Sequence, residues 1–519
     1  VNLRSSARPS ALLLALLLGC SDPLVLPDAA AEAGPDAASE DRADLPDALE
    51  DGAIDDSQPP LDAAAPVLDA AVPDASVVRD AATPPADGAP LPPEGGCPVS
   101  PPPPMQPVSG SLLPEQRVTC GCRAAAPSVT AGAADRFLLR GRVVTPAEVH
   151  RDGEVLVVGN LIQCVGVSGA CSARPDASGA TVIRTGGIIY PGLIDGHNHV
   201  AYNWLPEWTP PRRYDNRYQW QRATAYDTFI QPYRDNVGAH ECAMAKYGEA
   251  RALFAGTTTI QGGPNRTCTR GLARNPEFGA DFAGVDRHAT NILGIGTVSA
   301  TSAANLRADM DAGRLTTYII HLCEGVDDPS RAEFTDLVGK NLLTASTVLV
   351  HGTALQDAQH LQLGTARGRL VWSPRSNVVL YGDTTDVRAA LARGVLVSLA
   401  PDWTPSGAPD ILQELRFARN VSRLRWAGLL TDRKLVEMVT SDAARVLDRH
   451  NEIGTLAPGR YADLVVIPDY GCDAYASLID AVAADISLVM VGGRPLYGDA
   501  TILRALPASA RIGCEDVTV

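Results

Sequence analysis

Two histidines one residue apart close the apolar run Pro191-Gly-Leu-Ile-Asp-Gly-His-Asn-His199. In an extended strand residues i and i+2 project to the same side, so His197 and His199 can address one metal ion. A divalent ion such as zinc takes nitrogen ligands at about 2.0–2.1 Å and fixes their directions. The end of a strand supplies the rigidity this demands. A His-x-His pair can equally decorate a surface turn, so the decision rests on what else the chain brings to the same place.

Apolar strand-like runs alternate with helix-like stretches through the middle of the chain, the pattern of a parallel α/β domain. The runs are 193–194, 257–260, 291–298, 317–321, 347–351, 369–372 and 395–402, with helices expected at 242–254, 386–393, 409–420 and 432–447. A closed (β/α)8 TIM-like barrel needs eight strands. Seven emerge here, so the barrel is distorted or one strand short, unless the eighth lies near Asp281 to Val285. His197, His199, His321, His351 and Asp402 each fall at the C-terminal end of an expected strand, the rim on which such barrels build active sites. Five such placements are hard to reconcile with structural histidines at strand ends, and together they predict a metal site.

Glycine-punctuated, β-branched runs flank this region at 137–144 and 153–166 on one side and at 462–467 and 486–493 on the other. These read as strands and hairpins, expected to pack as a small composite β-sandwich built from both ends of the folded region. The expected organisation is a signal segment over 1–20, a tether over 21–130, the first part of the β-sandwich over 131–190, the barrel over 191–452, and the second part with a tail over 453–519.

The net charge of −16 is concentrated in the tether. Between Asp22 and Glu94 stand 18 acidic residues against Arg42 and Arg79, an excess equal to the net charge of the whole chain. No basic surface remains to suggest nucleic acid. The tether is rich in Ala, Pro and Asp and nearly free of aromatics, and such a segment cannot bury enough apolar surface to offset the entropy of ordering it. Ahead of it, Arg4 and Arg8 precede the run Ala11 to Cys20, too short to span as a helix and of the form of an export signal. Leu17-Leu-Gly-Cys20 resembles the bacterial lipobox, which implies a lipid anchor on Cys20 at the cell envelope, on the outer membrane or its periplasmic face. Ten further cysteines, an even number in an exported chain, fit disulfides. Cys164 with Cys171, across an expected hairpin, is the favoured pair.

The motifs together resemble the amidohydrolase superfamily, in its chlorohydrolase and aminohydrolase branch of triazine, guanine and S-adenosylhomocysteine enzymes. The landmarks are Pro191 to His199, His321-Leu-Cys-Glu324, Val350 to Leu355, Ser373-Pro-Arg-Ser-Asn377, Leu399-Ala-Pro-Asp402 and Ile453 to Leu464. The resemblance implies that His197, His199, His321 and Asp402 ligate one divalent ion, zinc first, with iron or another divalent ion also fitting. It implies that Glu324 shuttles protons and that His351 hydrogen-bonds the activated water or the reacting centre. Two-metal members bridge their ions with a carboxylated lysine at a strand end. The lysines here, Lys246, Lys340 and Lys434, lie on helix-like or loop segments, which favours one ion. His-Asn-His departs from the more familiar pair with a small or hydroxyl residue between the histidines. The aromatic and arginine-rich stretch 202–220 either lines a substrate pocket, with Arg212, Arg213 or Arg217 receiving an anionic group, or is packing. Cys323 is expected to point away from the site.

The expected function is metal-dependent hydrolysis of a C–N bond, not a peptide bond, in a small molecule, by deamination or amide cleavage; a homo-oligomer is compatible with this. The alternatives are a binuclear cyclic-amide or dipeptide hydrolase, and a surface-binding lipoprotein that keeps the barrel without turnover. A serine hydrolase is disfavoured because no Gly-x-Ser-x-Gly elbow occurs.

Overall fold

The computed structural model describes residues 125–511, apart from 264–265, 283 and 285. The expected signal segment, Cys20, most of the tether, and Cys97, Cys120, Cys122 and Cys514 lie outside the described residues.

The first five strands are β1 (Ser128–Thr130), β2 (Ala133–Val144), β3 (Val149–Val158), β4 (Leu161–Val167) and β5 (Ala180–Pro191). The expected tether thus reaches too far by a few residues, because β1 pairs antiparallel with β5. The central strands are β6 (Leu193–Asp195), β7 (Thr257–Ile260), β8 (His288–Asn291), β9 (Thr317–Leu322), β10 (Thr347–His351), β11 (Arg369–Trp372) and β12 (Leu396–Leu399). The chain closes with β13 (Leu464–Pro468), β14 (Leu488–Val491) and β15 (Arg494–Gly498).

Both ends meet in one sheet of eight strands, ordered β15-β14-β13-β5-β2-β3-β4 with β1 also on β5. The ladder runs on through β13 and β5, so the expected composite element is a single continuous sheet. Alternation along its strands assigns neighbouring residues to opposite faces. Ile189, Leu464, Val466, Leu488 and Met490 fill one apolar cluster. Ile188, Tyr190, Val465, Ile467 and Val489 join the large core shared with the barrel helices. One face of the sheet is therefore docked on the barrel, and β5 runs through Gly192 directly into β6 and the histidine pair.

The central strands form a parallel five-stranded sheet, β12-β11-β10-β9-β8, and a separate parallel pair, β6-β7. Seven strands are present among the described residues, and no strand lies at 279–281, which is a turn of 3-10 helix. Arg274 forms an isolated bridge to β7: its N–H donates to the Thr258 carbonyl, and its carbonyl accepts from the Ile260 N–H. The run expected as a strand over 291–298 is instead a loop and 3-10 turn after β8. Asn291 is the reason, since its side-chain oxygen accepts from the N–H groups of Leu293 and Gly294 and turns the chain. The expected helix over 432–447 is broken into Asp432–Met438 and Ser441–Val446.

Cys164 and Cys171 form the expected disulfide, and Cys242 pairs with Cys268. Cys323 is a free, buried thiol, so the reading of all ten cysteines as paired is corrected. No described helix is long and apolar enough to cross a membrane.

Candidate metal and proton-transfer site

The segment after β6 stays extended and is held against the segment after β12. His199 N–H donates to the Asp402 carbonyl at 2.9 Å, and Asp402 N–H donates to the His197 carbonyl at 3.3 Å. Asn198, between the histidines, turns to the other side, where its amide donates to Asp195 at 2.7 Å. His321 projects from β9 and His351 ends β10. Cys323, His351 and Asp402 have positive φ angles of 55°, 69° and 73°. Left-handed backbone at non-glycine residues costs of order 1–3 kcal/mol each and gathers at functional sites. Three such residues at the C-terminal ends of β9, β10 and β12 mark the rim on which the side chains converge.

The convergence is close. Ring centroids lie 4.9 Å apart for His197 and His199, 4.6 Å for His197 and His321, and 5.3 Å for His199 and His321. Nitrogens of these three fall within 4.8 Å of one another, and so do donor atoms of His197, His351 and Asp402. Asp402 Oδ1 lies 3.2 Å from His197 Nε2 and 3.5 Å from His199 Nε2. His197 Nε2 and His321 Nδ1 are nevertheless buried nitrogens with no hydrogen-bond partner. Such atoms are costly unless something completes them, and a nitrogen-rich set with one carboxylate is what zinc prefers. The residues present fit a divalent ion.

The electrostatics agree. Burial, with the neighbouring His197 charge, brings His199 down to about 4. Burial and the surrounding imidazoles push His321 well below its ordinary value. Burial also works against a proton on His197, but Asp402 outweighs it and raises that group. For Asp402, burial alone would raise the carboxyl; contact with His197 and the charges of His351, His197 and His199 hold it well below the usual range. Neutral imidazoles and an ionised carboxylate are the forms that bind metal, so His199, His321 and Asp402 already favour them, whereas His197 must give up the proton that Asp402 stabilises before it can ligate.

A supporting layer fixes the donors. Ser376 hydroxyl donates to Asp402 Oδ2 at 2.6 Å, which leaves Oδ1 for the histidines. Asn377 holds His351 Nδ1 at 3.1 Å through its side-chain oxygen, while its own amide donates to Thr384 and Thr385. His351 Nε2 then faces Glu324 Oε2 at 3.7 Å. Glu324 Oε1 accepts from the Tyr381 hydroxyl at 2.6 Å, and that hydroxyl accepts from Trp220 Nε1 at 2.8 Å. Ser376, Asn377 and Tyr381 all lie on the helix Pro374–Tyr381. Sequence reasoning quoted Ser376 and Asn377 in a landmark without a role, and it missed Tyr381 and also Gln261, whose Oε1 lies 3.2 Å from His197 Nδ1; the partners of both are far away in sequence.

The stretch 202–220 packs into an aromatic cluster with Tyr226, Phe229, Tyr381 and Trp403. Tyr202 and Trp403 lie 6.1 and 5.8 Å from the His199 ring. Arg217 is buried and committed to the carbonyls of Ile292 and Leu293, with Glu324 and Glu333 each 3.9 Å away. Arg212 lies over the Tyr214 ring. Arg217 is therefore an internal brace beside Glu324, which is the packing alternative for this residue. Cys323 is buried in the core, away from the site as expected.

Residues 295–496 match the model of the amidohydrolase family. That amidohydrolase match takes in β9 to β12 and the side chains of His321, Glu324, His351 and Asp402. A probable guanine deaminase of Schizosaccharomyces pombe is 31% identical over 172 residues, 31% of this chain and 32% of its own. The alignment thus spans about a third of that relative. A 5-methylthioadenosine/S-adenosylhomocysteine deaminase of Moorella thermoacetica is 25% identical over 414 residues, 70% of this chain and 94% of its own. Among solved structures, a zinc-bound adenosine deaminase from Xanthomonas campestris superposes with a TM-score of 0.58 at 17% identity, covering 74% of this chain and 94% of its own. The atrazine chlorohydrolase of Arthrobacter aurescens complexed with zinc gives 0.55 at 18% identity, covering 70% and 95%. At these identities the structural likeness speaks for the amidohydrolase-like barrel fold.

Proposed function

We propose that this protein is a metal-dependent hydrolase that deaminates a small heterocyclic amine. The reaction class is hydrolysis of a C–N bond other than a peptide bond. The observation that carries this reading is the meeting of His197, His199, His321 and Asp402 on one rim, with Glu324 beside His351. In this reading His197, His199, His321 and Asp402 hold one divalent ion. Such an ion would supply Lewis-acid activation for the attacking water and the carbon under attack. Glu324 exchanges protons through Oε2, since Tyr381 occupies Oε1, and relays one to the leaving nitrogen. His351, oriented by Asn377, presents Nε2 to the same space. The aromatic rings of Tyr202 and Trp403 offer flat apolar surface to a heterocycle. The relatives named as guanine and S-adenosylhomocysteine deaminases support an exocyclic amine on a purine-like ring.

Ammonia release from a panel of purine, pyrimidine and triazine amines by the zinc-loaded protein tests this. Wild type releases ammonia from at least one, and Glu324→Gln falls by roughly 10²-fold or more. Zinc bound with no release from any amine or amide refutes the deaminase reading and favours a binding role. A two-ion site is the second reading, favoured by the overlapping second donor set His197, His351 and Asp402. Two equivalents of metal per chain would establish it. The leader pattern supports acylation of Cys20, and loss of palmitate labelling in Cys20→Ser tests that anchor.

A further inference from the structure

His197 ligates through Nε2 only if Nδ1 carries the proton, and a chain of hydrogen bonds behind the site dictates that state. Gln261 follows β7 directly and is fully buried. Its backbone is pinned on both sides. Gln261 N–H donates to the Asp195 carbonyl at 3.0 Å, and Gly262 N–H donates to Glu277 Oε2 at 2.8 Å. Gly262 has φ +91°, and a Cβ there would fall 1.8 Å from the Asn198 carbonyl oxygen, so the turn lies tight against the histidine pair.

The polarity runs from the carboxylate inward. Glu277 Oε1 accepts the Thr290 hydroxyl at 2.6 Å. With its only proton committed there, Thr290 Oγ1 accepts from Gln261 Nε2 at 3.3 Å. The amide is thereby oriented with Oε1 toward His197 Nδ1, 3.2 Å away. An amide oxygen only accepts, so Nδ1 bears a proton, and Nε2 is left as the nitrogen directed at Asp402 and the site, free to ligate once no proton occupies it. Partners of this kind behind a metal-binding histidine fix its tautomer and ring direction.

We infer that Gln261 is the positioning residue of the metal centre, set by Thr290 and Glu277 to keep His197 in the one tautomer that can bind a divalent ion. This rests on the metal reading above, and the experiment separates the two. Zinc dissociation constants are measured for the full chain by competition with a chromophoric chelator, alongside melting of the metal-free protein. Gln261→Leu, close in volume, weakens zinc by about 10–100-fold. Gln261→Glu, which restores an acceptor at the same place, binds within about three-fold of wild type, a rescue that a packing role does not produce. Thr290→Val frees the amide to rotate and weakens zinc by about three- to ten-fold. Zinc affinity within about three-fold of wild type in Gln261→Leu overturns the inference, as does a Gln261→Glu protein as weak as Gln261→Leu. If Gln261→Leu does not fold, unchanged affinity in Thr290→Val overturns it. Failure of the wild type to bind zinc would instead refute the metal reading itself.

Discussion

The Tyr381 hydroxyl is the contact on which the reach of Glu324 depends, and its removal has a calculable effect. Tyr381→Phe deletes one oxygen and leaves two buried groups without their partner: Glu324 Oε1, which accepts at 2.6 Å, and Trp220 Nε1, which donates at 2.8 Å. Tyr381 and Glu324 are each about 5% exposed, so water does not readily replace the lost contacts. A hydrogen bond to a charged group contributes about 1.5–3 kcal/mol, and an orphaned buried donor costs about 1–3 kcal/mol. Together these predict a loss of about 2.5–6 kcal/mol in the unfolding free energy of the metal-free protein. Urea titration followed by tryptophan fluorescence reads it directly. Catalysis should fall chiefly in kcat, because the carboxylate loses the contact that holds Oε2 toward His351 while the aromatic walls keep their shape. A Tyr381→Phe protein within about 0.5 kcal/mol of wild type, with kcat unchanged, would refute the claim that this hydroxyl holds Glu324.

Three other outcomes are expected. Asp402→Ala and His321→Ala each abolish stoichiometric metal loading by elemental analysis, since each leaves the remaining donors incomplete; retention of a full equivalent in both contradicts the ligand assignment. Burial raises Glu414 from 4.5 to about 8 despite the Arg375 N–H and guanidinium. Its folded value exceeds its unfolded one, so its contribution is fully present below about 4.5 and is lost as the pH climbs through about 8. Glu414→Gln should therefore flatten the decline in melting temperature between pH 5 and 9, and an unaltered slope counts against it. Replacing both Cys242 and Cys268 by serine opens a crosslink of 26 residues in sequence, with an expected cost of about 3 kcal/mol by loop entropy, measurable by denaturant titration.

How much of this was legible follows from whether a residue's neighbours are near in sequence. His197 and His199 share a short extended segment, and His321, His351 and Asp402 each end an apolar run, so period and position alone placed them on one rim. The left-handed backbone at His351 and Asp402 was invisible, because no glycine or asparagine marks those positions. Tyr381 and Gln261 were also missed: their partners stand 57 and 64 residues away, and neither belongs to a short motif. Run 291–298 was misread because it is short, apolar and partly β-branched like a strand, whereas the Asn291 side chain captures the following backbone N–H groups and ends the strand instead. The composite sheet was legible as two matching ends, but its continuous ladder depends on Leu464 to Pro468 finding β5 across the whole barrel.

Next to the ligands, the segments carrying His197, His199 and Asp402 are joined by a single bridge of two main-chain hydrogen bonds, with no ladder between β6 and β12 among the described residues. An ion taking side chains from both sides would act as a clasp between parts of the chain some 200 residues apart. Its grip would add to cohesion where the backbone supplies least, so the apoprotein should open first along this line, and hydrogen exchange there should slow when metal is supplied. Metal supply would then govern how long the folded enzyme persists as well as how fast it works.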